Sequence, residues 1–226
     1  MIEKSTIKFL QDLRTNNNRD WFEANRARYL EAKSDMENLT WHLIKGLSEQ
    51  DPEIAESNLT IKQCTFRIYR DVRFSEDKTP YKVNMGASFN IGGKKVHNAG
   101  YYFHLENKNI FLAGGVWMPE SRDLKLIRDK ISMNYNEFKQ ILNNKSFVKY
   151  FPKGIDREAS LKKVPKGFNE FNPAVEYLKL KSFTIYHFIP ENLIFKKELL
   201  QYILTGFKSM QPLIKFLNRA VIGMEK

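Results

Sequence analysis

Apolar residues at helical spacing dominate the N-terminal part of the chain. One set predicts a short helix over 5–15, and its members are Ile7, Leu10 and Leu13. A second set keeps the helical period of about 3.6 residues and predicts one long helix over 19–49. Its members are Trp21, Phe22, Tyr29, Ala32, Met36, Leu39, Leu43 and Leu47. Asn18 is expected to cap this helix, and Asp51-Pro52 ends it.

The period then changes to the alternation that is typical of strands. Apolar and polar residues alternate over 65–74, and three further strands are predicted at 85–91, 100–106 and 110–117. A late segment, 182–189, alternates β-branched and aromatic residues and predicts one more strand. Short polar or glycine-rich links favour antiparallel neighbours. The pattern therefore predicts a mostly antiparallel sheet of four to five strands.

Helical signals return after Pro119. They predict helices over 121–133, 135–143 and 173–180, and a closing helix over 192–223 that Pro212 must kink or split. The chain carries no repeats, low-complexity tracts or linkers. We therefore expect one α+β domain over 1–226, in which the long N-terminal helix and the C-terminal helices pack against the sheet. Its parts would be a helical region over 5–50, a sheet over 64–117, and a helical region over 120–223 with the late strand near 182–189.

The stretch 67–82 holds the densest chemistry in the chain, with five cations against three carboxylates. Alternate side chains of a strand share one face, so Arg67, Asp71 and Arg73 would form a charged row. The opposite face would turn three apolar side chains to the core, namely Ile68, Val72 and Phe74. Arg70 interrupts that apolar face and must reach an edge or pair with a carboxylate.

The surplus of positive charge leaves three interpretations open. In the favoured one, the cluster binds the phosphate or carboxylate group of an anionic small molecule, and the protein could be an enzyme. The expected ligand-binding residues are Arg67, Arg70, Arg73, Lys78, Tyr81 and Lys82. Asp71 would orient the arginines or act as a base, and Tyr81 would supply a hydroxyl, which makes these two the candidate catalytic residues. Asp77 would hold a tight turn after the strand.

Two alternatives compete with a small-molecule site. A formal net charge of +11 is compatible with a nucleic-acid-binding module. The cluster could instead be an internal salt-bridge network of a structural or partner-binding domain, in which Asp71 pairs with Arg67 and Arg73. Tyr102, His104 and Glu106 share one face of a predicted strand, but no third metal ligand accompanies the last two. We therefore predict no metal site and core packing for Tyr102, and the sequence identifies no cofactor.

Composition bears on the class and the compartment of the protein. Hydrophobic residues make up 42% of the chain, which is too many for a disordered protein. No apolar run approaches the length of a membrane span, and the N-terminus lacks the apolar segment of a signal peptide. The single cysteine, Cys64, allows no internal disulfide and favours the reducing cytoplasm. Cations beside it could lower the pKa of its thiol.

The same stretch carries a resemblance to a known family. Its residues match R-x-x-R-D-x-R-F-x-x-D/N-K-x-x-Y at every fixed position, and these are Arg67, Arg70, Asp71, Arg73, Phe74, Asp77, Lys78 and Tyr81. This pattern resembles that of a family of uncharacterised bacterial proteins, a domain of unknown function. Further similarity lies at 17–22, 100–102, 114–119 and 165–168. The resemblance implies that one domain covers nearly the whole chain, and it implies no activity, substrate or cofactor.

Overall fold

Four strands form one antiparallel sheet whose spatial order follows the chain. A computed structural model describes residues 2–223. Its strands are β1 Asn84–Asn90, β2 Gly100–Glu106, β3 Phe111–Val116 and β4 Phe183–Phe188. The predicted mostly antiparallel sheet is thus confirmed, with the late strand pairing beside β3. The register sets Ser88 opposite Tyr102, Tyr102 opposite Ala113, and Ala113 opposite Tyr186.

Helices account for most of the remaining regular structure and confirm the α+β class. Over residues 2–223 they are α1 Lys4–Thr15, α2 Arg19–Ala24, α3 Arg26–Gln50, α4 Pro52–Glu56, α5 Ile61–Cys64, α6 Ser121–Met133, α7 Tyr135–Leu142, α8 Lys145–Tyr150, α9 Val175–Leu178 and α10 Leu199–Val221. A short 3-10 turn occupies Glu191–Leu193. Within this part of the chain, no helix combines the length and the apolar character that crossing a membrane requires.

The helix predicted over 19–49 is two helices that meet at Asn25. Asn18 caps the first, since its side chain accepts a hydrogen bond of 2.9 Å from the Trp21 N–H. The Asn25 N–H and side-chain amide both donate to the Trp21 carbonyl, which closes α2 before α3 begins. An asparagine side chain competes in this way with the helical hydrogen-bond ladder. Asp51 ends α3 as predicted and caps α4 through the Glu53 N–H.

The main core lies between the sheet and α10. That helix packs against β2 and β3, while α3 packs against α1, α10 and the edge strand β1. Buried aromatic side chains from both layers meet there, including Tyr101, Phe103 and Phe207. The predicted closing helix starts late, at Leu199, and is not split, because α10 continues through Pro212.

The strand predicted over 65–74 is wrong. This segment forms only two isolated bridges, one between Thr65 and Ala87 and one between Tyr69 and Tyr81. Its backbone leaves the sheet edge and closes on itself, with the Arg70 N–H bonded to the Pro80 carbonyl at 2.9 Å. Ile68 is buried as predicted, but Phe74 is 97% exposed. Charge pairs and a turn therefore shape residues 67–82, which we call the motif loop.

Candidate functional site

One face of the sheet packs on α10, and the other face lines a cleft. A Cβ built on Gly114 would point at Met210 of α10, so the neighbouring residues Ala113 and Gly115 belong to the opposite face of the sheet. A cavity of about 680 Å³ lies over that face. Its aromatic lining, which defines the aromatic cleft, is Phe66, Tyr102, Phe111, Trp117, Tyr186 and Phe188. The prediction that Tyr102 packs in the core is wrong, because α10 covers the other side of β2.

Two further cavities flank the aromatic cleft at its β1 edge. The motif cleft, of about 490 Å³, is lined by Phe66, Arg70, Asp71, Lys82, Asn84, Gly86, Tyr102 and His104. The cationic groove, of about 670 Å³, is lined by six cations, namely Lys33, Lys62, Arg67, Lys82, Lys94 and Lys95. Phe66 lines all three cavities and is 41% exposed. Its ring therefore lies where the aromatic cleft, the motif cleft and the cationic groove meet.

The cationic groove concentrates positive charge without matching negative charge. Lys82 and Lys94 place their ammonium groups 5.5 and 5.8 Å from the centre of the Phe66 ring. Burial, then Arg67 and Lys94, hold the pKa of Lys82 below its ordinary value. Burial likewise lowers the pKa of Lys94. Among the lining residues the single carboxylate is that of Glu37, which also pairs with Lys33, its neighbour in the groove, at 3.4 Å.

Arg70 and Asp77 hold the motif loop closed. The Arg70 guanidinium pairs with the Asp77 carboxylate and donates to the Thr79 hydroxyl. Asp77 also accepts a hydrogen bond of 2.9 Å from the Thr79 N–H. That N–H, together with Arg70, lowers the pKa of Asp77 to about 2. Asp77 thus occupies the tight turn expected of it, while Arg70 lies at an edge of the motif cleft rather than in the core.

Arg73, Asp71 and Lys78 form bonds within the motif loop and do not line the cationic groove. Arg73 forms a two-pronged pair with Asp71, through Nε at 2.9 Å and Nη2 at 2.6 Å. This pair lowers the pKa of Asp71. Lys78 donates to the Val72 carbonyl at 3.0 Å. The charged row predicted for a strand is wrong, since Arg67 faces the groove and has no carboxylate partner in residues 2–223.

Tyr81 is a structural anchor and lies away from all three cavities. Only 4% of it is exposed, and its ring stacks on Phe22 with centroids 3.9 Å apart. Its backbone N–H and carbonyl bond the side chain of Asn17 at 3.1 and 2.9 Å. Burial raises the pKa of its phenol. The expected role of Tyr81 as a hydroxyl donor at the site is therefore contradicted by its burial.

Burial, rather than the neighbouring cations, decides the pKa of the Cys64 thiol. Its thiol is enclosed at the end of α5, which raises the pKa of the thiol to about 12, and Lys94 only partly offsets this rise. A thiol of this kind stays protonated near neutral pH and is a poor nucleophile.

Tyr102, His104 and Glu106 of β2 form a hydrogen-bonded chain, which their predicted place on one strand face did not by itself indicate. The Tyr102 hydroxyl lies 3.0 Å from His104 Nδ1, and His104 Nε2 lies 3.1 Å from Glu106 Oε2. A carboxylate accepts only, so Nε2 carries the proton and Nδ1 accepts from Tyr102. Asn109, at 2.9 Å, and Arg14 fix the carboxylate of Glu106. The signal in the sequence was the spacing of two residues, which puts all three side chains on one face.

Burial and hydrogen bonding set the protonation states of this chain. Burial lowers the pKa of His104, so its imidazole is neutral near neutral pH. Burial and the charge of Glu106 raise the pKa of Tyr102 to about 12. Hydrogen bonds from Asn109 and His104 lower the pKa of Glu106 despite its burial. Within residues 2–223, no group of three or more His, Cys, Asp or Glu side chains is placed to hold a metal ion.

The loop geometry makes a prediction about proteolysis. Arg70→Ala removes the side chain that ties Asp77 and Thr79 together, so the motif loop should open without disturbing the core. We expect trypsin to cleave after Arg73 several-fold faster in this variant, with a nearly unchanged melting temperature. Arg67→Ala is the matched control, because Arg67 lies outside these loop bonds. Equal cleavage rates in the wild type and Arg70→Ala would refute the role given to Arg70.

Comparison with known proteins places this geometry in a family. A family of conserved hypothetical proteins, DUF2461, matches residues 5–216. No curated protein and no solved structure matches the chain. The matched range includes α1, the sheet, the motif loop and most of α10. Because that range is nearly the whole chain, the protein belongs to the DUF2461 family of conserved hypothetical proteins, and the predicted membership in a family of unknown function is confirmed.

Proposed function

We propose that the protein binds an anionic small molecule in the cationic groove, with Arg67, Lys82 and Lys94 as its main contacts. The observation that carries this proposal is the gathering of these cations around Phe66, where the only lining carboxylate is shared with Lys33. Like charges held together and partly buried destabilise each other. A bound anion would relieve that repulsion and gain charge-assisted hydrogen bonds.

The chemistry of the three cations favours phosphate or carboxylate as the bound group. Arg67 offers the planar fork that binds two oxygens at once, and the lysines add compact point charges. Arg73 and Lys78 are left out of this proposal because they line none of the three cavities. Lys94 donates to the carbonyls of Lys62 and Thr65, which leaves one of its three N–H donors for an anion. Arg70 lines the neighbouring motif cleft and acts there through its hold on the loop.

The aromatic cleft indicates what else the ligand carries. It adjoins the groove at Phe66, and its volume of about 680 Å³ is in the range of small-molecule sites. Aromatic rings such as Phe111 and Tyr186 favour an apolar or planar group. The proposed ligand is therefore an anion with a ring or apolar body, its charge in the cationic groove and its body on the sheet.

A ligand screen by thermal unfolding tests this function. Inorganic phosphate, sugar phosphates, nucleotides and dicarboxylates are compared on the wild type, Lys82→Ala and Lys149→Ala. A ligand at a hundred times its Kd adds about 2.7 kcal/mol, which is roughly 5–10 °C for a domain of this size. We expect such a shift for the wild type and for Lys149→Ala, since α8 packs against α10 away from the groove. Equal shifts in the wild type and Lys82→Ala would contradict the site.

The affinity for an anion should fall at alkaline pH. Lys82 has a pKa below 10.5 in the free protein, and a bound anion favours its charged form. Affinity is therefore highest below the lowered pKa and declines as the pH rises through it, a decline that starts before 10.5. Sulfate is the suitable probe for calorimetry, because its own charge is constant over this range. The decline should be smaller in Lys82→Met, where Lys94 still titrates. An unchanged affinity of the wild type up to pH 10.5 would refute the assignment.

Exposed aromatics beside lysines favour a second candidate, the binding of single-stranded nucleic acid. Trp117 is 78% exposed at the rim of the aromatic cleft, and Phe66 stands beside Lys94. Bases stack on such rings while cations follow the backbone. Binding of a short oligothymidylate should then weaken steeply with salt and fail in Trp117→Ala. A mononucleotide that binds as tightly as the oligomer would favour the small-molecule site instead.

We also propose the cytoplasm as the compartment of the protein. The support is the single cysteine, which leaves no partner for an internal disulfide and whose thiol is buried. Fractionation of cells that express the protein tests this location. Recovery outside the cytoplasmic fraction would contradict it.

A further inference from the structure

We propose that Tyr102, His104 and Glu106 form a nucleophile–base–orienter chain that acts on a phosphate ester bound beside Lys82. The chain of hydrogen bonds is the geometric part of this inference. The class of substrate rests on the proposed function, because the anion site supplies the phosphate. Nucleophilic catalysis requires a nucleophile within hydrogen-bond reach of a base that a third group orients.

The three side chains have this arrangement, at 3.0 Å and 3.1 Å along one face of β2. The His104 ring is held further by stacking on Phe111, with ring centroids 4.5 Å apart and planes 13° apart. Glu106 is a positioning residue, since it reaches His104 and not the cavity. Its own orientation is set by Asn109 and Arg14. These contacts restrict the rotation of the three side chains, as a preorganised catalytic site requires.

The backbone makes room for the nucleophile. The Tyr102 side chain crosses the neighbouring strand at Gly86, where an added Cβ would clash with the phenol oxygen. Tyr102 donates its proton to His104, so the lone pairs of its oxygen are free to attack. Tyr102 and His104 line the motif cleft, and Lys82 lines the same cleft. Because Lys82 lines both the cationic groove and the motif cleft, a substrate phosphate that it holds in the groove borders the cavity that the nucleophile faces.

The reaction balances with water as the only co-reactant. The Tyr102 oxygen attacks phosphorus, the bond from phosphorus to the alkoxide breaks, and the phenol proton passes to His104 Nδ1. The imidazolium, stabilised by Glu106, gives that proton to the departing alkoxide. Water then attacks the phosphorus of the phosphotyrosine while His104 takes a proton from it. The bond from phosphorus to the Tyr102 oxygen breaks, and His104 returns the proton to the phenolate, so the products are an alcohol and inorganic phosphate. Lys82 offsets the negative charge on the phosphoryl oxygens.

Covalent labelling tests the nucleophile without knowledge of the natural substrate. A neutral probe, phenylmethanesulfonyl fluoride, reacts with an activated phenol: the oxygen–sulfur bond forms, fluoride leaves and the proton goes to the base. Tyr69, which is 43% exposed, is the internal control. Mass spectrometry of the whole chain reports both labelling rates in one sample. We expect Tyr102 to react at least about tenfold faster than Tyr69, as assistance by a general base predicts.

Two variants test whether His104 acts as the base, with the labelling of Tyr69 as the control for an intact fold. His104→Asn keeps a hydrogen-bond acceptor near the position of Nδ1 but cannot take the proton. It should lose the tenfold preference for Tyr102, while Tyr69 reacts at the wild-type rate. Tyr102→Phe should lose only the adduct at residue 102. A Tyr102 that reacts no faster than Tyr69, or a preference that persists in His104→Asn, overturns the proposal.

A second probe distinguishes failure of this inference from failure of the proposed function. 4-(Fluorosulfonyl)benzoate carries a carboxylate that the cationic groove should attract. We expect it to label Tyr102 several-fold faster than the neutral probe does, and Lys82→Ala should abolish this advantage. If the neutral probe shows the preference for Tyr102 and the anionic probe has no advantage, the chain is active and the anion site is wrong. If the anionic probe labels Tyr102 faster than the neutral probe does, but the neutral probe shows no preference for Tyr102 over Tyr69, the anion site is supported and the assignment of Tyr102 as the nucleophile is wrong.

Discussion

Gly115→Ala is expected to destabilise the protein by more than about 3 kcal/mol. Gly115 sits on β3 with φ +118°, a conformation that side chains rarely adopt. An added Cβ would overlap the carbonyl oxygen of Phe183 on β4, and a backbone atom cannot move aside like a side-chain tip. The substitution would thus separate β3 from β4 at the pair Gly115–Thr184. Urea unfolding followed by circular dichroism measures the loss.

Gly154→Ala is the matched control for this effect. Gly154 also has a positive φ, +64°, but nothing lies within 4 Å of a Cβ built there. Its substitution should lower the free energy of unfolding only through backbone strain, by about 1 kcal/mol. Similar losses at Gly115 and Gly154 would show that the close approach of β3 and β4 contributes little.

The second large loss of stability is expected when Asn218 is substituted. This buried side chain on α10 accepts from the Ala99 N–H at 2.8 Å and donates to the Ala99 carbonyl at 3.1 Å. Asn218→Ala leaves both buried backbone groups of Ala99 without partners, at a cost of about 2–4 kcal/mol. Ala99 ends the link from β1 to β2 that carries Lys94, so the variant should also weaken phosphate binding.

Thermal and urea unfolding of Asn218→Ala measure this effect against Gln201→Ala. Gln201 is exposed on the same helix, and its substitution should change stability by less than about 0.5 kcal/mol. Equal stability of the two variants would mean that water satisfies the Ala99 groups once Asn218 is removed.

Local structure could be predicted from the sequence where interactions between neighbouring residues determine it. The Asn18 cap, the end of α3 at Asp51 and the pairing of β2 with β3 depend on short-range hydrogen bonds and turn propensities. The strand prediction for residues 65–74 failed because apolar and polar residues can also alternate in a loop whose charged side chains pair with one another. Its Arg70–Asp77 and Arg73–Asp71 pairs draw the chain away from the sheet edge.

The candidate site depended on contacts that no local pattern contains. Tyr81 is buried because Phe22, far away in sequence, stacks on its ring. Tyr102 faces a cleft because α10 packs on the other face of β2, and the alternation of a strand does not say which face is covered. Arg67 and Lys82 were predicted from the charged stretch 67–82, but Lys94 joined them only through the folding of the β1–β2 link beside Phe66.

A titration of the isotope-labelled protein with inorganic phosphate, followed by amide and side-chain NMR signals, tests the central claim most directly. The anion site predicts saturable shifts centred on Phe66, Arg67, Lys82 and Lys94, with the signals of α8 unmoved. The same titration of Lys82→Ala should show these shifts weakened at least tenfold in affinity, about 1.4 kcal/mol. Shifts that never saturate, or that centre on Arg73 and Lys78, would contradict the cationic groove as the binding site.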